Sequence, residues 1–102
     1  MSNVIEYAPF YLKKEVSIPD FMLASDRLQS EFLSKQKGYV SRKLLAKGEV
    51  WCDLIFWETM DDAQSALKAF YENAAACAYL SFLEEENEDC EILHFSVQKS
   101  YE

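Results

Sequence analysis

Residues 50–57 read Val50-Trp51-Cys52-Asp53-Leu54-Ile55-Phe56-Trp57. The run is rich in β-branched and aromatic side chains, the composition of a strand. A strand with one wet face alternates apolar and polar groups, and this one is apolar almost throughout. Both of its faces are therefore expected to be covered. Asp53 is the exception inside the run. A buried acid must be paired or neutral.

Upstream, Tyr39 to Leu45 reads as a partner strand. Ala46-Lys47-Gly48-Glu49 is short and contains Gly, which predicts a hairpin. A turn at Lys47-Gly48 places Arg42 opposite Asp53, as a structural ion pair across the hairpin. Downstream, Thr59 can cap a helix, with Asp62 at the capping-box position. Ala63, Ala66, Leu67 and Phe70 then give a narrow apolar face suited to close packing on a sheet. Asn73 breaks or recaps that helix, and Asn73 to Leu80 continues in helix-forming residues.

Toward the N-terminus, Val4 to Lys13 predicts a strand, and Pro9 marks an edge, a bulge or an interruption in it. Ser17-Ile18-Pro19-Asp20 predicts a capped helix start. Phe21, Ala24, Leu28 and Phe32 form one apolar stripe along about four turns, and Gly38 is the expected C-terminal stop. At the other end, Glu91 to Gln98 predicts a strand. Leu93, Phe95 and Val97 face one way, and Ile92, His94 and Ser96 the other.

The order is β-α-β-β-α-(α)-β. This is α+β, the ferredoxin-like βαββαβ arrangement with a four-stranded antiparallel sheet and its helices on one face. The whole chain, 1–102, is one domain. The other sheet face has no element left to cover it, so a second copy is expected there, giving a homodimer joined through sheet faces.

Gly38-Tyr39-Val40-Ser41-Arg42-Lys43-Leu44-Leu45, followed by Leu54-Ile55-Phe56-Trp57-Glu58-Thr59-Met60-Asp61-Asp62-Ala63, resembles the signature of the dimeric α+β barrel superfamily. A Gly-aromatic pair opens the second strand, Trp-Glu-Thr closes the third, and an acidic helix start follows. The chain is similar to antibiotic biosynthesis monooxygenase-like domains. The resemblance implies a homodimer with a pocket between sheet and helices in each subunit. It also implies one of several activities: cofactor-independent oxygenation of aromatic polyketides, heme degradation or muconolactone isomerisation. The heme-degrading pattern has a Trp and a His in the helical region after Trp-Glu-Ser. Residues 63 to 83 contain neither.

Composition narrows the partners. Eighteen acids against ten bases give a formal charge of -8. Such a surface repels phosphates, so no nucleic acid and no anionic membrane is expected as partner. Glu84, Glu85, Glu86, Glu88, Asp89 and Glu91 concentrate part of that charge, and they read as a solvated helix end and loop. A calcium loop needs a central Gly, and none occurs there. No apolar run approaches the roughly 20 residues that span a bilayer.

The three cysteines, Cys52, Cys77 and Cys90, form no CxxC, so no metal site is expected. Cys52 and Cys77 sit in apolar patterns and are expected to be buried. Cys90, flanked by acids, is expected to be the most accessible. Reduced thiols and the lack of a basic-then-apolar leader point to a cytoplasmic location. Two glycines cannot build a dinucleotide fingerprint, and no nucleophile elbow or HExxH occurs. No cofactor is expected.

The candidate site follows from chemistry. His94 is the only histidine, the residue type whose unperturbed side chain changes charge near neutral pH, so it is the candidate proton-transfer group, with Asp53 as a second acid or base. Its other role is that of a hydrogen-bonded structural residue. Tyr79, Trp57 and Tyr7 are candidate substrate-binding groups, although such rings also simply fill volume. Glu6 alternates with Val4 and Ala8, and its face stays open. The expected function is a cofactor-independent, monooxygenase-like activity on a small hydrophobic or aromatic compound. The alternative is a non-catalytic ligand-binding or interaction module on the same dimer.

Overall fold

The computed structural model describes residues 3–85 and 90–102. The chain runs β1 (Val4–Tyr11), α1 (Ile18–Glu31), a 3-10 turn (Leu33–Lys35), β2 (Tyr39–Lys47), β3 (Val50–Trp57), α2 (Met60–Phe70), α3 (Ala74–Leu80) and β4 (Leu93–Ser96). The strands form one antiparallel sheet in the order β2-β3-β1-β4. This is the expected ferredoxin-like α+β arrangement.

Local chemistry starts each helix where the sequence places it. Ser17 accepts from the Asp20 N–H, Thr59 from the Asp62 N–H, and Asn73 from the Ala76 N–H. Each cap satisfies an N–H that the first turn leaves without a partner, which is worth about 1 kcal/mol. Asn73 therefore recaps the chain and makes α3 a helix of its own. α1 buries Phe21 and Leu28 against the sheet. Truncating Phe21 to Ala would cost roughly 3–5 kcal/mol.

Gly38 does not cap α1. The helix ends at Glu31, and the 3-10 turn intervenes with Phe32 and Leu33 both buried. Gly38 instead opens β2 with φ at 81°, and a Cβ there would run into the side chain of Asp62. Only glycine combines that conformation with that approach.

The hairpin register differs from expectation by two residues. Lys47 lies opposite Val50, so Gly48-Glu49 is the turn, with Gly48 at φ 61°. Arg42 consequently faces Ile55, and Leu44 faces Asp53. An even shift keeps each side chain on its expected face, because strand side chains alternate with period two.

β4 is shorter than the expected Glu91–Gln98 and pairs only with Val4 to Tyr7 of β1. Pro9 lies beyond that pairing, an edge-like place suited to a residue without an N–H. The β1 end is closed instead by the chain after α3, through a Leu12–Leu83 bridge and a Glu84 N–H to Tyr11 C=O bond of 2.8 Å.

All the helices lie on one side of the sheet. Trp51, Asp53, Ile55 and Trp57 of β3 point toward them. Tyr7, Leu93 and Phe95 lie exposed on the opposite face, with Leu54 and Phe56 half-buried beside them. Cys52 is buried on that face, as expected. Cys77 is exposed, against expectation, because α3 turns Ala75, Ala76 and Tyr79 inward and Cys77 falls on the other side. Cys90 is half-buried rather than the most accessible of the three. The expected solvation of Glu86, Glu88 and Asp89 lies outside the described residues. Glu84, Glu85 and Glu91 are exposed.

Candidate functional site

Between the inner sheet face and the three helices lies a cavity of about 700 Å³. Its wall includes Phe10, Ile55 and Trp57 from the strands, Leu28 from α1, Phe70 from α2 and Tyr79 from α3. Two polar clusters interrupt this apolar lining.

The first cluster is Asp53, Arg42 and Tyr79. The Arg42 Nε donates to Asp53 Oδ1 at 2.7 Å, and the Tyr79 hydroxyl donates to Asp53 Oδ2 at 2.7 Å. Arg42 also donates to the Tyr79 oxygen at 3.2 Å and to the Ser25 carbonyl at 3.3 Å. Its guanidinium carbon lies 5.4 Å from the Tyr79 ring centroid. The Arg42 and Asp53 side chains are only 6% and 8% exposed. Burial opposes the Arg42 charge, but Asp53 and Tyr79 together outweigh it, and the guanidinium titrates above its ordinary value. Burial, reinforced by the Asp53 charge, pushes the Tyr79 hydroxyl far above the usual tyrosine range. Tyr79 is therefore a fixed neutral donor, and both Asp53 oxygens are occupied. Charges so paired stay buried, whereas removing one partner strands the other.

The second cluster is Glu6, His94 and Trp57. Glu6 faces His94 across the β1–β4 pair, and His94 Nε2 lies 3.0 Å from Glu6 Oε1. The two side chains are 9% and 13% exposed. Burial raises the Glu6 carboxyl above its ordinary value. His94 and the nearby Trp57 indole oppose that rise, and the Asp53 charge adds to it. The Trp57 Nε1 hydrogen is buried and has no hydrogen-bond partner at full geometry. Glu6 and Trp57 both line the cavity.

The structure thus gathers four of the five residues singled out from sequence around one space. Asp53, Tyr79 and Trp57 line it, and His94 stands behind Glu6. Tyr7 does not join them. Its neighbours Glu6 and Ala8 take the inner face, so alternation turns Tyr7 to the outer face, where it is exposed. Glu6 is the lining group that sequence reasoning left unplaced. The signal was present, since Val4, Glu6, Ala8 and Phe10 alternate as an otherwise apolar face. It is the same signal that singled out Asp53.

Comparison with solved structures sets this geometry in a family of folds. The cofactor-independent oxygenase SnoaB from Streptomyces nogalater superposes with a TM-score of 0.74 at 18% identity, covering 98% of this chain and 97% of that one. A Streptomyces coelicolor monooxygenase from ActVA-Orf6, in complex with the ligand nanaomycin D, gives 0.66 at 11% identity, over 98% and 91% of the two chains. The chain has the fold of the antibiotic biosynthesis monooxygenase-like proteins.

That fold extends to a conserved protein from Methanosarcina mazei Go1, with a TM-score of 0.71 and 17% identity over 94% and 93% of the chains. No protein-family model and no curated protein matches the sequence. A shared fold at such identities does not carry function with it. Among the described residues, no group of three or more His, Cys, Asp or Glu is placed to hold a metal ion. No helix among them is long and apolar enough to cross a membrane.

Proposed function

We propose that this protein is a small cytoplasmic, homodimeric, cofactor-independent monooxygenase-like enzyme acting on a hydrophobic or aromatic ring compound. The observation that carries the reading is the cavity, whose apolar walls meet the buried Glu6–His94 pair at one side. Apolar walls hold a ring, and a few converging polar groups orient it.

The chemistry this arrangement supports begins with proton removal. Glu6 takes a proton from an acidic position of the ring compound, and His94 holds the carboxyl in place and shares the proton. The resulting anion gives one electron to dioxygen, forming superoxide and a substrate radical. The two combine into a peroxide anion, which takes back the proton as a hydroperoxide. Loss of water then leaves a carbonyl where a CH₂ group stood. The substrate supplies the electrons, one oxygen atom enters the product, and the other leaves as water. Asp53 serves by fixing Tyr79, whose ring forms part of the wall, and Trp57 contacts the ligand.

The exposed apolar outer face supports the homodimer, since a second copy of the sheet would bury it. The test is oxygen uptake in metal-free buffer with fused-ring anthrones. We expect uptake above the spontaneous rate, reduced at least tenfold by Glu6→Gln. Binding without uptake would favour the alternative, a non-catalytic ligand-binding module on the same fold.

A further inference from the structure

We infer that the cavity selects uncharged ring compounds that carry a hydroxyl at the Glu6–Trp57 end, and that it rejects carboxylates and phosphates. The inference rests on the proposed use of the cavity as the ligand site and names the ligand's charge and polar group.

The first support is the sign of the lining charge. Among the described residues the cavity is lined by Glu6, Asp53, Glu84 and Glu85, and by no lysine, arginine or histidine. Asp53 is neutralised by Arg42 within its own cluster. Glu84 and Glu85 are exposed and have no such buried partner, so they set a negative rim. An anion entering the cavity meets like charge at the rim, and inside it meets the Glu6 carboxyl, whose partner His94 stands outside the lining. Low-dielectric walls strengthen that repulsion relative to water.

The second support is independent of charge count. The Trp57 residue is 1% exposed and forms part of the wall, and its indole N–H lies beside the Glu6 carboxyl without making a well-formed hydrogen bond to it. Buried donors are nearly always well satisfied, and one so poorly aligned with its neighbour leaves room for a better-placed acceptor. Glu6 lies beside that indole and offers a carboxylate oxygen. A ligand hydroxyl answers both groups at once, accepting from Trp57 and donating to Glu6. An ammonium satisfies the acids but offers nothing to the indole. A carboxylate satisfies the indole but opposes Glu6.

The experiment compares three probes of one shape by calorimetry at pH 7: 2-naphthol, 2-naphthoate and 2-naphthylmethylammonium. Turnover is not needed, so failure of the oxygenase reading leaves this test intact. We expect 2-naphthol to bind at least tenfold more tightly than either ion. Trp57→Phe should weaken 2-naphthol about tenfold. The double variant Glu84→Lys with Glu85→Lys lies on the exposed rim and tests the charge separately from folding. It should narrow the naphthol-to-naphthoate ratio about tenfold. Naphthoate binding as tightly as naphthol, an unchanged ratio in the lysine variant, or no naphthol binding at millimolar concentration overturns the inference.

Discussion

Arg42 and Asp53 form their ion pair along the diagonal of the β2–β3 hairpin, Nε to Oδ1 at 2.7 Å, while Arg42 faces Ile55 in register. The diagonal geometry turns the second Asp53 oxygen to Tyr79, 26 residues along the chain in α3. One buried carboxylate thereby ties the sheet to the helix that forms the cavity wall.

Removing that carboxylate should be costly. Asp53→Ala leaves the Arg42 charge buried without its partner, a loss of roughly 3–5 kcal/mol. Tyr79→Phe removes one bond to a charged acceptor, about 2 kcal/mol. Urea unfolding of the two variants measures both. A cost below about 1 kcal/mol for Asp53→Ala would show that the cluster does not hold the wall in place.

Glu6 should make stability depend on pH. Its carboxyl is raised above the ordinary 4.5 by burial, so the folded state holds the proton more tightly than the unfolded chain. Above that ordinary value the folded protein binds more protons, and stability falls as pH rises through the raised value. Below it, both states are protonated and the contribution is complete. His94, Trp57 and Asp53 act on the same carboxyl, and Glu6→Gln removes its titration while keeping a hydrogen-bonding side chain. We expect the wild type to lose stability relative to Glu6→Gln as pH rises above 4.5. Denaturant melts from pH 4 to 8 follow the difference. A flat trend would place the carboxyl in an ordinary solvated setting, and the opposite trend would show that pairing with His94 outweighs burial.

The outer sheet face should hold two copies together. Phe95 and Tyr7 are exposed there at 54% and 38%. Sedimentation at micromolar concentration should give about twice the chain mass of 11.9 kDa. Phe95→Asp should shift the population to monomer by placing a charge in the apolar contact. A clean wild-type monomer removes the dimer.

Features set by neighbouring residues were legible in the sequence. Ser17, Thr59 and Asn73 cap their helices because a cap needs only the next three residues. The two-sided apolarity of residues 50–57 and the order of elements are equally local. The hairpin register differs by two from the sequence expectation because Gly48 serves the turn from either of two positions, and only strand pairing decides between them. The sequence places Gly38 at the end of α1, since its close approach to Asp62 is a tertiary fact. Cys77 was misplaced because a run of alanines shows no periodicity from which to read a buried face. Glu6 escaped placement because its partner His94 lies 88 residues away. The cavity itself is a property of packing among three helices and a sheet, which no spacing encodes.

The most direct test of the ligand site is a crystal structure of the protein with 2-naphthol. We expect the ring between the inner sheet face and α1, α2 and α3, with its oxygen within hydrogen-bond distance of Trp57 Nε1 and the Glu6 carboxylate. A ring bound on the outer sheet face, or one inside the cavity whose oxygen avoids both Glu6 and Trp57, would contradict it.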